Sequence, residues 1–130
     1  MVVAAVAVAG IGVLRAQQQS PKSGVYTDSQ ADRGKVYYAD KCSSCHGEKL
    51  DGAGGPALSG KDFMSYQAGA PVSDLFDKIK ETMPATDPGT MTPAQTADVV
   101  AFILKTNQFP AGPSDLPNEA ATLKLIVFDK

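Results

Sequence analysis

Histidine occurs once in this chain, at His46, and cysteine only at Cys42 and Cys45. These shortages exclude several chemistries. A structural zinc site is usually four-coordinate through Cys, His and carboxylates, and no further cysteine or histidine is present to complete one. Two cysteines in one short cluster cannot build a long-loop disulfide framework. The chain contains no Lys/Arg-rich run, and Lys+Arg 12 against Asp+Glu 14 gives a formal charge of -2. That balance offers no broad basic surface, so no nucleic-acid partner is expected. An apolar run of the roughly 20 residues needed to cross a bilayer is also missing. The 130 residues suffice for one compact domain and are short for two.

The apolar stretch from Met1 to Leu14 ends at Arg15, Ala16 and Gln17-Gln18-Gln19-Ser20. It reads as the hydrophobic part of a signal peptide spanning 1–16, cleaved after Ala16, although no Lys or Arg precedes it. Export to the periplasm follows, with no stable membrane insertion. The remainder divides into an N-terminal extension at 17–29, a domain at 30–112 and a tail at 113–130 expected to pack on the domain. Alternation in Leu123-Lys124-Leu125-Ile126 permits a short strand in that tail.

Both cysteines and the histidine fall in the order Cys42-Ser43-Ser44-Cys45-His46, the pattern of covalent haem attachment. Two thiols three positions apart can reach the two vinyl groups along one side of a porphyrin, and the next residue turns an imidazole towards iron. A redox dithiol of the thioredoxin type would sit beside a strand and helix in a βαβ unit. Here the surroundings read as a helix leading into a glycine-rich loop, Gly47 to Gly60. That loop lacks the lysine and hydroxyl ending of a phosphate-binding loop, so nucleotide binding is a poor account of it.

Three helices are predicted around this motif. The first is capped by Asp28 or Ser29, begins near Ala31 and places Gly34 and Tyr38 on one face. A second, short helix capped by Ser73 carries Leu75, Phe76 and Ile79. The third opens at Thr92-Pro93-Ala94-Gln95, a cap, a first-position proline and a reciprocal glutamine. It presents Val99, Phe102 and Ile103 on an apolar face and stops at Asn107. The first and third are expected to cross, Gly34 and Tyr38 opposite Val99 and Phe102.

With one histidine present, a second protein ligand to iron must be another residue type, and methionine sulfur is the natural candidate. Met83 is best placed, because it follows the short helix and Pro84 pushes it into extended backbone. Met91 and Met64 remain as alternatives, Met91 also as core or haem-edge cover.

From the first helix through the third, these residues resemble a class I monohaem cytochrome c. The resemblance implies an all-α fold, three main helices and glycine-rich loops around one haem c. It further implies that the carbonyl of Pro56 accepts the ring proton of His46. A finer likeness runs through Thr82-Met83-Pro84, Pro88-Gly89, Asp98-Val99-Val100-Ala101-Phe102-Ile103-Leu104 and Asn107-Gln108-Phe109-Pro110-Ala111-Gly112. It is similar to the cytochrome domains and partner cytochromes of quinoprotein alcohol dehydrogenases. The implied function is single-electron transport in a respiratory chain, from such a dehydrogenase to a respiratory oxidase or another cytochrome, without enzymatic activity of its own. Ala53, Ala57, Ala85 and Met91 are candidate contacts on the exposed rim. The alternative is a small haem peroxidase or gas-binding protein with a labile distal ligand, which would have to work without a second histidine.

Overall fold

The computed structural model describes residues 17–130; the expected signal peptide at 1–16 lies outside them. The architecture is all-α, with no named strand among the described residues. Helices α1 (Asp28–Lys41), α2 (Ser43–His46), α3 (Gly60–Gln67), α4 (Val72–Thr82), α5 (Pro93–Thr106) and α6 (Ala120–Leu123) follow in chain order. None of them is long and apolar enough to cross a membrane.

Helix α1 begins earlier than expected. Thr27, with extended backbone, is its cap and accepts from the Gln30 amide at 3.1 Å. Asp28 stands at the first helical position instead, where its charge complements the helix dipole. Helix α5 starts as the sequence predicts: Thr92 Oγ1 accepts from Gln95 N at 3.2 Å, and Gln95 Oε1 accepts from Thr92 N at 3.0 Å. Its interior is buried over Thr96 to Ala101 and again at Ile103 and Leu104, wider than a single apolar face. Such burial identifies α5 as the central helix, packed on both α1 and α4.

The crossing of α1 on α5 depends on a missing side chain. A Cβ on Gly34 would overlap the Asp98 carbonyl and come within 3.0 Å of the Phe102 Cβ. Gly34 therefore faces the Asp98 backbone more closely than the Val99 side chain predicted for it. One turn on, the rings of Tyr38 and Phe102 pack with centroids 5.3 Å apart and planes tilted 54°. An offset aromatic pair of this kind adds about 1 kcal/mol beyond its buried area. Arg33 pairs with Asp98 across the same crossing at 3.1 Å, and Lys105 with Asp28 at 2.9 Å.

Two features depart from the sequence expectations. Ser73 does not cap α4. The helix begins at Val72, whose amide donates to the Ile126 carbonyl of the tail at 2.8 Å, so a distant backbone group satisfies the first orphan N–H. Ser73 is instead fully buried, and its hydroxyl has no partner among the described residues. Helix α3, not foreseen, follows Ser59 and has its first amide satisfied by Asn107 Oδ1 at 3.1 Å.

The tail forms isolated bridges and a single helical turn, not a strand. Ile126 pairs with Gln19, and Val127 with Pro71. Leu116, Leu123, Ile126 and Phe128 are buried, with Phe128 5.9 Å from the ring of Phe109. The Gln30 side chain grips Leu116 at both backbone groups, at 3.0 and 2.6 Å. Arg33 reaches Asp115 at 2.9 Å, and Thr27 donates to the same carboxylate.

Candidate functional site

The attachment segment is built by a break and restart of helix. Helix α1 ends where Cys42 leaves helical backbone, and its amide still donates to Tyr38 O at 2.9 Å. A single turn then carries Cys45 and His46 before Gly47, at φ +84°, turns the chain away. Both thiols are free, Cys42 buried and Cys45 exposed. Burial first, and then the neighbouring Cys45, push the Cys42 thiol above its ordinary pKa. That is the opposite of the electropositive activation a nucleophilic dithiol requires.

His46 is largely buried. Its Nδ1 lies 2.7 Å from the Pro56 carbonyl. A carbonyl only accepts, so Nδ1 is the donor in this contact, and in the neutral imidazole Nε2 is then the nitrogen that keeps a lone pair. Gly55 makes this approach possible: a Cβ there would stand 3.2 Å from His46 Cε1 and 3.3 Å from Nδ1. The loop between them is closed by its own backbone. Gly52 N donates to His46 O at 2.8 Å, Gly55 N to Cys45 O at 2.7 Å, and Leu58 N to Leu50 O at 2.8 Å. Leu50, buried, accepts a positive φ of 59° to turn its side chain into the core.

Met83 ends α4 in extended backbone, φ -119° and ψ 151°, with its amide on Ile79 O at 3.0 Å. Its side chain is half-buried and packs against the core cluster that contains Cys42, Tyr38, Phe63 and Leu75. Met64 has a similar half-buried place, whereas Met91 is only 7 % exposed and belongs to the core. Burial removes Met91 from the set of rim contacts; Ala53 and Ala85 are exposed and Ala57 is half-buried.

The donor set fits a c-type haem: two unpaired thiols, an imidazole with a free Nε2 fixed by its other nitrogen, and a thioether at a helix end. Two surface grooves, of about 260 and 490 Å³, lie along the seams between the tail and the body, the first beside Arg33 and Leu116, the second beside Gln19 and Phe128. Neither includes any residue of the Cys42–His46 segment, Pro56 or Met83.

Two residues of this neighbourhood have roles beyond those the sequence suggests for them. Asn107 does more than end α5: its Nδ2 donates to Leu58 O at 3.0 Å while its Oδ1 holds Gly60 N. Tyr38 is the expected aromatic contact, and its hydroxyl in addition donates to Gly47 O at 2.6 Å. The signal for the second was present, because a buried tyrosine oxygen needs a partner.

A family model described as "Cytochrome C oxidase, cbb3-type, subunit III" matches residues 29–103. Among curated relatives, a thiosulfate dehydrogenase of Stutzerimonas stutzeri (strain A1501) is 36 % identical over 78 residues, covering 55 % of this chain and 25 % of that protein. A menaquinol:cytochrome c reductase cytochrome c subunit of Geobacillus thermodenitrificans is 42 % identical over 45 residues, covering 35 % of this chain and 18 % of that one. The chain thus spans a quarter or less of the length of these relatives. No solved structure matches it significantly.

Proposed function

The chain belongs to the cbb3-type cytochrome c oxidase subunit III family of cytochrome c domains, and from that premise we propose that it is a periplasmic single-electron carrier without enzymatic activity of its own. In this reading Cys42 and Cys45 would hold one haem c through thioether bonds, and His46 Nε2 and the Met83 sulfur would be the chain's ligands to its iron. The observation that carries the proposal is the 2.7 Å contact between His46 Nδ1 and the Pro56 carbonyl, which leaves Nε2 free to donate.

The bound haem supplies the one-electron Fe(III)/Fe(II) couple. The rest is the work of the chain. Pro56 holds the Nδ1 proton, which orients the imidazole and strengthens its donation. The extended backbone at Met83 presents a thioether, a ligand that favours the reduced state and raises the potential. The core against which Met83 packs includes Leu50, Phe63 and Leu75, and its apolar surface would exclude water from that side of the site. With both ligands supplied by the chain itself, the site would suit electron exchange better than small-molecule activation.

Replacing Met83 by His is expected to leave the haem in place and lower its potential. An unchanged potential with an intact methionine optical band would refute the ligand assignment. Strong carbon monoxide binding by the ferrous wild-type protein would favour a labile distal site and a peroxidase or gas-binding role.

The proposed donor is a quinoprotein alcohol dehydrogenase, through its reduced pyrroloquinoline quinone, and the proposed acceptor a respiratory oxidase or another cytochrome. Support comes from the likeness over Thr82-Met83-Pro84 and Asn107 to Gly112. The relatives' names place related domains with thiosulfate and menaquinol oxidation, so donor competition is the test. Rapid-mixing kinetics should show faster reduction by the quinoprotein than by thiosulfate- or menaquinol-oxidising partners. The reverse order overturns the donor assignment.

A further inference from the structure

Three successive carbonyls leaving the attachment turn are hydrogen-bonded. Cys45 O and His46 O are held from within the loop, by the amides of Gly55 and Gly52. Gly47 O accepts from the Leu50 amide at 3.2 Å and from the Tyr38 hydroxyl at 2.6 Å. That hydroxyl belongs to α1, and its ring is packed on Phe102 of α5 and is 2 % exposed. Tyr38 therefore ties the His46 end of the loop to the crossed helices, as Asn107 ties the other end at Leu58 and Gly60.

A phenylalanine would fill the same volume and stack on Phe102 equally well. The hydroxyl is a polar group taken out of water, and it is tolerated there because the Gly47 carbonyl receives it. We infer that the Tyr38 hydroxyl is a positioning residue for His46: by fixing Gly47, it sets where the loop starts and so where Pro56 returns to meet Nδ1. This inference rests on the ligand role proposed above for His46. Burial, then Cys42 and Asp51, push the Tyr38 phenol up to about 12, so the group remains a donor throughout the neutral range.

The adjacent residue supplies an internal control. The Tyr37 hydroxyl accepts from Gln95 Nε2 at 2.9 Å, linking α1 to α5 without touching the loop. The experiment compares haem-loaded wild type, Y37F and Y38F by hydrogen exchange at His46 Nδ1–H, by reduction potential and by unfolding midpoint. Both variants should keep the pigment and lose similar stability. Only Y38F should exchange Nδ1–H about tenfold faster, the factor for loss of one such hydrogen bond. Only Y38F should raise the potential, because a slackened partner weakens imidazole donation. A Y38F protein matching Y37F in both readouts, or one with a lowered potential, overturns the inference. So does a wild-type Nδ1–H that exchanges as freely as the exposed Gly54 amide, a result needing no variant at all. A wild-type chain that binds no covalent pigment would instead defeat the underlying haem reading.

Discussion

The α1–α5 crossing and the loop from His46 to Leu58 are held by different means. In the crossing, side chains decide the geometry: Gly34 admits the Asp98 backbone, Tyr38 stacks on Phe102, and Arg33 clamps Asp98. In the loop, backbone decides most of it, through amide-to-carbonyl bonds at Gly52, Gly55 and Leu58, with Tyr38 and Asn107 side chains holding its ends and the Ser59 hydroxyl reaching Leu50 O between them. The crossing resists distortion through packing, and close-packed interiors respond to a single added carbon. The loop carries little side-chain volume, so it can be shaped around a cofactor, but its register depends on the helix pair behind it.

Adding volume at the crossing should have the largest effect. Gly34→Val places branched carbons where the Asp98 carbonyl stands, and a loss of about 3–4 kcal/mol in denaturant unfolding is expected. A loss below about 0.5 kcal/mol would mean that the helices separate freely and that side-chain packing does not set the crossing. The corresponding change in the loop is smaller. Gly55→Ala puts a Cβ 3.2 Å from the imidazole, a contact relieved by a few tenths of an ångström, with an expected cost of about 1 kcal/mol. The signature should be local: a displaced His46 ring resonance with an unchanged Tyr38–Phe102 contact. A cost equal to that of Gly34→Val would erase the distinction between the two regions.

The crossing was the more legible region because it carries periodicity. Gly34 and Tyr38 four apart, and the Thr92-Pro93-Ala94-Gln95 start of α5, have local causes that a linear reading can find. The attachment motif was legible for a different reason, since its chemistry needs Cys42, Cys45 and His46 in one order. What escaped depends on distant groups. The first amide of α4 is satisfied by Ile126, and that of α3 by Asn107, so neither start is closed by a local side-chain cap as Thr92 closes α5. The sequence Ser59-Gly60-Lys61-Asp62 did carry a capping-box spacing for α3, masked by the glycines around it. Pro56 was reached through family resemblance, because no periodicity joins it to His46.

The smallest expected effect concerns the tail, which resembles the crossing in its buried side chains and the loop in its backbone pairing. The Thr27 hydroxyl and Arg33 hold the Asp115 carboxyl below its ordinary 3.8, and Ser20 and Lys22 do the same for Asp129. Carboxyls with depressed folded values contribute their stabilisation in full above the unfolded value and lose it as pH falls through the folded one. Both groups are exposed, so the effect is modest. Below the ordinary 3.8, as pH falls through the depressed folded values, the Leu116 amide should exchange faster while the interior of α5 stays protected. Equal protection of Leu116 and Val100 across that range would show that the carboxylates contribute nothing to holding the tail.

The central claim, that Cys42 and Cys45 tether a haem whose iron His46 and Met83 hold, is tested most directly by extraction. The matured, purified protein is shaken with acidified organic solvent, and the two phases are examined for colour. Pigment remaining with the polypeptide, and lost from it only when both cysteines are replaced, is the expected result. Pigment passing into the solvent from the wild-type chain would contradict it.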